Sequence, residues 1–199
     1  MRFFLAVMTL MIAAHSGRAA VTVEKAVPPA WGLEQLMEDL ERIKAAKGRF
    51  IERKYLAMLS TPLELSGTLV YTAPGRLEKH TLRPQAETLI LEGDKLTVDN
   101  KARNQRRTFS LPENPVIWAF VESIRATLAG DLKTLNRFYD VNLEGTESRW
   151  ALLLKPREPA MQDVVSEIRL SGSGTWIDRI ETVESGGDRS VMTVTRDVS

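Results

Sequence analysis

Residues Thr61 to Leu91 read TPLELSGTLVYTAPGRLEKHTLRPQAETLIL. Leu65, Gly67, Leu69 and Tyr71 fall on one face of the first run, and Thr68 and Val70 fall on the other. This period of two is the mark of a strand. Pro74-Gly75 is a turn dipeptide, so the chain folds back there. The return strand, Arg76 to Leu82, puts Leu77 on one face and Glu78, His80 and Leu82 on the other. Pro84 breaks the run again before Leu89-Ile90-Leu91. Apolar and β-branched residues occupy both faces, so at least one face must be covered by another part of the chain.

Working outward, Glu92-Gly93-Asp94 predicts a hairpin turn. Lys95 to Val98 and Arg106 to Leu111 then flank a turn at Asp99-Asn100. That loop carries Lys101, Arg103, Arg106 and Arg107. It reads as a docking patch for an acidic partner or phospholipid head groups, or as a solvated hairpin tip. Asn114-Pro115 predicts a helix start, with Asn at the N-cap and Pro at the first helical position. Val116 to Val121 is apolar nearly all round, and Ile124 and Leu128 continue the stripe. Such a helix is buried on more than one side. Gly130 ends it, and Asp131 caps a second helix through Leu132, Leu135 and Phe138.

Tyr139 to Leu143, Trp150 to Leu154, Val164 to Leu170, Ile177 to Val183 and Val191 to Thr195 are short strands. Gly145, Pro156, Gly172 to Gly174 and Gly186-Gly187 separate them. On the N-terminal side, Leu33, Leu36, Met37, Leu40 and Ile43 predict an amphipathic helix to about Ala46, ended by Gly48. Phe50 to Met58 is the first strand. The sum is an α+β fold: one strongly curved antiparallel sheet, with helices covering its concave side because their apolar faces have nowhere else to go.

Met1-Arg2 precedes twelve residues, Phe3 to Ala14, that are apolar except for Thr9, and small residues follow. This is the pattern of a secretory signal peptide, cleaved after Ala19, and it is shorter than the roughly 20 residues of a spanning helix. The expected organisation is a signal peptide at 1–19, a leader at 20–32 and one domain at 33–199. Loss of Arg2 and Arg18 lowers the basic count from 27 to 25 against 26 acids, so the net charge moves from +1 to −1. A nearly neutral chain exerts no long-range pull on nucleic acid. With no cysteine, export brings no disulfide.

Catalytic chemistry is poorly supplied. One histidine, His80, remains after residue 19, and no Gly-x-Ser-x-Gly elbow is present; Ser171-Gly172-Ser173-Gly174 reads as a turn. With one His and no Cys, neither a metal site nor another cofactor is expected. The carboxylate pairs Glu144/Glu147 and Glu181/Glu184 carry no specificity without geometry. The expectation is a binding protein with no catalytic residues.

The order of several local patterns resembles the LolA-like periplasmic outer-membrane lipoprotein carriers. These are the N-terminal helix followed by Gly48-Arg49-Phe50-Ile51-Glu52, Pro62-Leu63 with Ser66-Gly67-Thr68-Leu69-Val70-Tyr71, Pro74 with Leu77, Pro84 before Leu89-Ile90-Leu91, Gly93-Asp94-Lys95-Leu96, and Asn114-Pro115 opening an apolar helix. The resemblance covers about Leu33 to Thr195. It implies an unclosed β-barrel lidded by helices, and a periplasmic monomer that shields the acyl chains of lipoprotein or lipid cargo. It also implies an inner-membrane transporter as donor and an outer-membrane acceptor. The residues proposed to line cavity and lid are Leu36, Leu40, Leu69, Tyr71, Leu77, Ile90, Ile117, Trp118 and Val121. Two departures stand out. Well-known members place an Arg, associated with lid closure and cargo hand-over, immediately before the proline where this chain has Ala73. They also place a Trp on the returning strand, where it has Lys79. Arg76 is a candidate substitute for that Arg. These features resemble a divergent branch associated with exporters of the resistance-nodulation-division type and with lipid-like or polyene products. An adaptor that docks on such an exporter is the alternative reading.

Overall fold

A computed structural model of the protein describes residues 31–197. The expected signal peptide and most of the leader lie outside them. Eleven antiparallel strands form one sheet. The first six are β1 (Ala45–Tyr55), β2 (Leu63–Thr72), β3 (Arg76–Arg83), β4 (Glu87–Glu92), β5 (Lys95–Asn100) and β6 (Gln105–Ser110). The remaining five are β7 (Tyr139–Thr146), β8 (Arg149–Pro156), β9 (Val165–Ser173), β10 (Trp176–Glu184) and β11 (Arg189–Arg196). Four helices join them: α1 (Leu33–Glu41), α2 (Pro115–Leu128), α3 (Leu132–Phe138) and α4 (Pro159–Gln162). No helix among the described residues is long and apolar enough to cross a membrane.

The strand order is β6-β5-β4-β3-β2-β1-β11-β10-β9-β8-β7. Two meanders, of six and five strands, meet where β1 pairs with β11 in a register that sets Phe50 against Val194. β6 and β7 do not pair, so the barrel is unclosed. These two free edges are consecutive in sequence apart from α2 and α3. The chain must therefore travel from one edge to the other, and it does so as the helical cover. The lid is a consequence of the topology.

Several elements differ from the sequence reading, each for a local reason. α1 ends at Glu41, and Ala45 to Gly48 open β1 instead of extending the helix. Their ladder to Leu69–Thr72 outweighs the helix preference of Ala-Ala-Lys. Gly48 therefore ends no helix. Its missing Cβ would lie 2.8 Å from Val194 and 3.1 Å from the Trp176 ring. The hairpin turn expected at Asp99-Asn100 comes later: β5 continues through Asn100, and Lys101–Arg103 makes a 3-10 turn closed by Asn104 at φ +49°. Asn114 holds the N-cap position of α2, but its side chain donates to the Ser110 carbonyl, 3.0 Å away, and does not cap the helix. Asp131 caps α3 as expected, accepting from the Thr134 N–H at 2.9 Å. Gly130, at φ +67°, lets the α2–α3 turn meet the end of α1; a Cβ there would sit 2.2 Å from the Met37 carbonyl.

The packed core is lopsided. Trp150, Leu152, Leu154, Ile168 and Leu170 on β8 and β9 are buried against Leu36, Met37 and Leu40 of α1, Ala119 and Ala126 of α2, and Leu135 of α3. Ala119, Ser123 and Ala126 recur along α2 and bring its backbone close to this half of the sheet. The Tyr139 hydroxyl donates to the Ala119 carbonyl at 2.7 Å, and burial pushes that phenol well above its ordinary range. The helices seat on the β7–β10 half and leave the β1–β5 half roofed but unfilled.

Candidate functional site: a roofed apolar cavity

The unfilled half encloses a cavity of about 580 Å³. Its floor is the helix-facing side of β1 to β5. Register fixes which residues face it: Tyr71 lies beside Leu77 and Leu77 beside Leu91, while Leu69 lies beside Lys79 and Lys79 beside Leu89. Its roof is the second face of α2. Ile117, Phe120, Val121, Ile124 and Leu128 follow one another at helical spacing and line the hollow. Helix α2 is apolar nearly all round because one stripe meets the core and the other meets empty space. Met192 and Val194 of β11 and Ile177 and Ile180 of β10 complete the wall.

Of the residues singled out from the sequence, Leu40, Leu69, Tyr71, Leu77, Ile117 and Val121 line this space. Leu36 is in the packed core. Trp118 turns toward α3: its ring meets Phe138 edge-on at 5.4 Å, and its indole N–H donates to Glu122 at 2.9 Å. Ile90 pairs with Glu78 and Thr97, on the opposite face of β4 from Leu89 and Leu91. Sequence reading placed Phe120, Ile124 and Leu128 in the apolar stripe of α2 but did not name them as lining residues. It also missed the lining contributed by β10 and β11, which only the β1–β11 pairing brings near.

The roof is tied down by Arg125. Its guanidinium donates to the Gly93 carbonyl at 2.8 Å in the β4–β5 turn, and to buried Glu122 on its own helix. Gly75, in the β2–β3 turn, lies under the Arg125 side chain and has no Cβ to obstruct it. Arg76 takes no part in this tie: it pairs with Glu78 at 3.0 Å and Glu92 at 2.6 Å. His80, beside Thr88 on the outer face, contacts Glu78 at 3.0 Å and the Thr88 hydroxyl at 3.3 Å. Glu144 and Glu181 pair with Arg169 and Arg179, respectively. Arg103, Arg106 and Arg107 are all exposed. Arg106 sits opposite Asp99 and Arg107 opposite Val98, so neighbouring arginines of β6 point to opposite faces. Charge on a free edge also discourages strand addition. Among the described residues, no group of three or more His, Asp or Glu is placed to hold a metal.

An open antiparallel sheet roofed by a helix over an apolar hollow defines a cavity-bearing binding fold. The chain belongs to the outer membrane lipoprotein carrier protein LolA-like family, whose pattern it matches over residues 25–195. That is a family of carriers. Solved structures match the chain at low identity. A LolA superfamily protein from Nitrosomonas europaea is 12% identical, with a TM-score of 0.45, over 85% of this chain and 96% of that one. A putative outer membrane lipoprotein-sorting protein domain from Vibrio parahaemolyticus is 8% identical, with a TM-score of 0.43, over 82% of this chain and 88% of that one. The Pseudomonas aeruginosa MucA/MucB complex matches at 10% identity and a TM-score of 0.41, over 84% of this chain and 58% of that one. A search of curated proteins gave no match.

Proposed function

We propose that this protein is a periplasmic carrier that shields the acyl chains of a lipoprotein or lipid as the cargo passes from the inner to the outer membrane. The observation that carries this reading is the apolar hollow under α2. An acyl chain loses about 0.8 kcal/mol for each CH₂ drawn from an apolar environment into water, so a carrier must supply an interior to replace the bilayer. A cavity of about 580 Å³ is within the usual range of ligand sites. Family membership and the export pattern at the N-terminus support the same reading. The partners are an inner-membrane donor and an outer-membrane acceptor.

The test is protein purified natively from the periplasm. Mass spectrometry of its organic extract is expected to show co-purified acyl lipid, and the emptied protein is expected to bind a fluorescent fatty acid. Val121→Trp, which fills the hollow from the roof, is expected to weaken probe binding at least about tenfold with the circular dichroism spectrum unchanged. A clean extract together with no probe binding would overturn the proposal.

A further inference from the structure

Most of the cavity wall is apolar, and of the charged residues that line it Glu52 is the buried one. Glu52 points into it from β1 and is 5% exposed. Lys79, from β3, reaches across β2 to place its ammonium 2.5 Å from Glu52 Oε2. Between them on β2 lies Gly67, where a Cβ would sit 1.9 Å from the His80 carbonyl oxygen and 3.0 Å from the Phe50 ring. The same ammonium lies 5.0 Å from the centre of the Phe50 ring. Lys54, two residues along β1 on the same face, approaches the other carboxylate oxygen at 3.8 Å. One buried carboxylate thus stands between two ammonium groups.

An ammonium carries three donors and no acceptor. Lys79 spends one donor on Glu52, and Lys54 makes only the long contact. Both oxygens of Glu52 are already engaged. The valences left open toward the cavity are therefore donors, and the local charge is positive by one. The surroundings do not reverse this. Glu78 is held by Arg76 and His80. At the end of the cavity where Lys54 pairs with Ser190 and Glu184 with Val165, Glu184 is exposed to solvent, and Arg189 nearby pairs with Glu181 at 3.9 Å. Burying an ion is costly unless it is paired, and a plain hydrocarbon cargo gains nothing from this arrangement.

We infer that the cavity is built for an amphiphile with an anionic head, carboxylate or phosphate, which the Lys79 and Lys54 ammonium groups receive while the apolar tail lies along Leu69, Leu77 and the roof of α2. This rests on the carrier reading and narrows its cargo.

The experiment compares C16 chains that differ only in the head: palmitate, hexadecyl phosphate, methyl palmitate and hexadecylamine, each competing with a fluorescent probe on the emptied protein. The wild type is expected to bind one or both anionic chains about tenfold more tightly than the ester. The order of palmitate and hexadecyl phosphate then says which head is native. Glu52→Gln with Lys79→Met removes the ion pair without leaving a lone buried charge, and is expected to bring the anion-to-ester ratio close to one. Should that variant fail to fold, half-exposed Lys54→Met decides, and it must lower the ratio several-fold. Equal binding of all four heads, preference for the amine, or a ratio that survives these substitutions would overturn the inference while leaving the carrier standing. If no chain binds whatever its head, the carrier reading fails and this inference goes with it.

Discussion

Val121 and Leu152 are both aliphatic and both face the helix-covered side of the sheet, yet they should answer substitution in opposite ways. Leu152 is 0% exposed in the packed half. Leu152→Ala is expected to cost about 2–5 kcal/mol in denaturant unfolding and to leave the identity of bound chains unchanged. Val121 borders empty space. Its enlargement to Trp has room to proceed, so stability measured the same way should hold within about 1 kcal/mol while binding is lost. On the outer face, the hydrogen bond from Arg76 holds the Glu78 carboxyl below its ordinary value of 4.5, against burial, with His80 adding a smaller pull the same way. A depressed carboxyl contributes stability that is fully present above the ordinary value and is lost as pH falls through the folded one. The pair is partly exposed, so the contribution is small. Urea midpoints from pH 7 downward should show the wild type ahead of Glu78→Gln at neutral pH, with that lead disappearing below pH 4.5.

Helix α2 faces a core on one side and a void on the other, and its attachment is correspondingly local. Arg125 joins it to the β4–β5 turn and neutralises Glu122, which is 2% exposed. Arg125→Ala leaves that carboxylate with only the Trp118 indole donor, so a loss of about 1–3 kcal/mol is expected. The roof also loses its tie, so a bound fluorescent fatty acid should leave several-fold faster in stopped-flow measurements. This element also marks how far the sequence could be read. The period of two in β2, the turns at Pro74-Gly75 and Gly93, and the start of α2 at Pro115 depend on neighbours in the chain, and local chemistry revealed them. Which stripe of α2 faces the void did not follow, because Ala119 and Ile117 look equally suited to a core. The end of α1 was misjudged because Ala45 to Gly48 are claimed by strands that arrive about 25 and 150 residues later. Lys79 was visible as a departure from the family pattern. Its partnership with Glu52 was not, because it depends on β1, β2 and β3 lying in order.

Across the whole molecule, packing density divides the sheet. Strands β8 and β9 carry fully buried Trp150, Leu152, Leu154, Ile168 and Leu170, whereas Leu69, Leu77, Leu89 and Leu96 opposite them are only half-buried. Native-state hydrogen exchange should follow this division. Amides of β8 and β9 are expected to exchange only by global unfolding, and those of β4 to β6 and of α2 by smaller openings. Bound chains should slow the second group by the linkage between ligation and opening; uniform protection across the sheet would contradict the division. A closed barrel has its girth set by strand number and shear. Here β6 and β7 remain apart, joined only through α2 and α3. The molecule is therefore a cuff, not a pipe. It can loosen or tighten around guests of unequal bulk by changing its curl alone, with every rung of the ladder between its strands left intact.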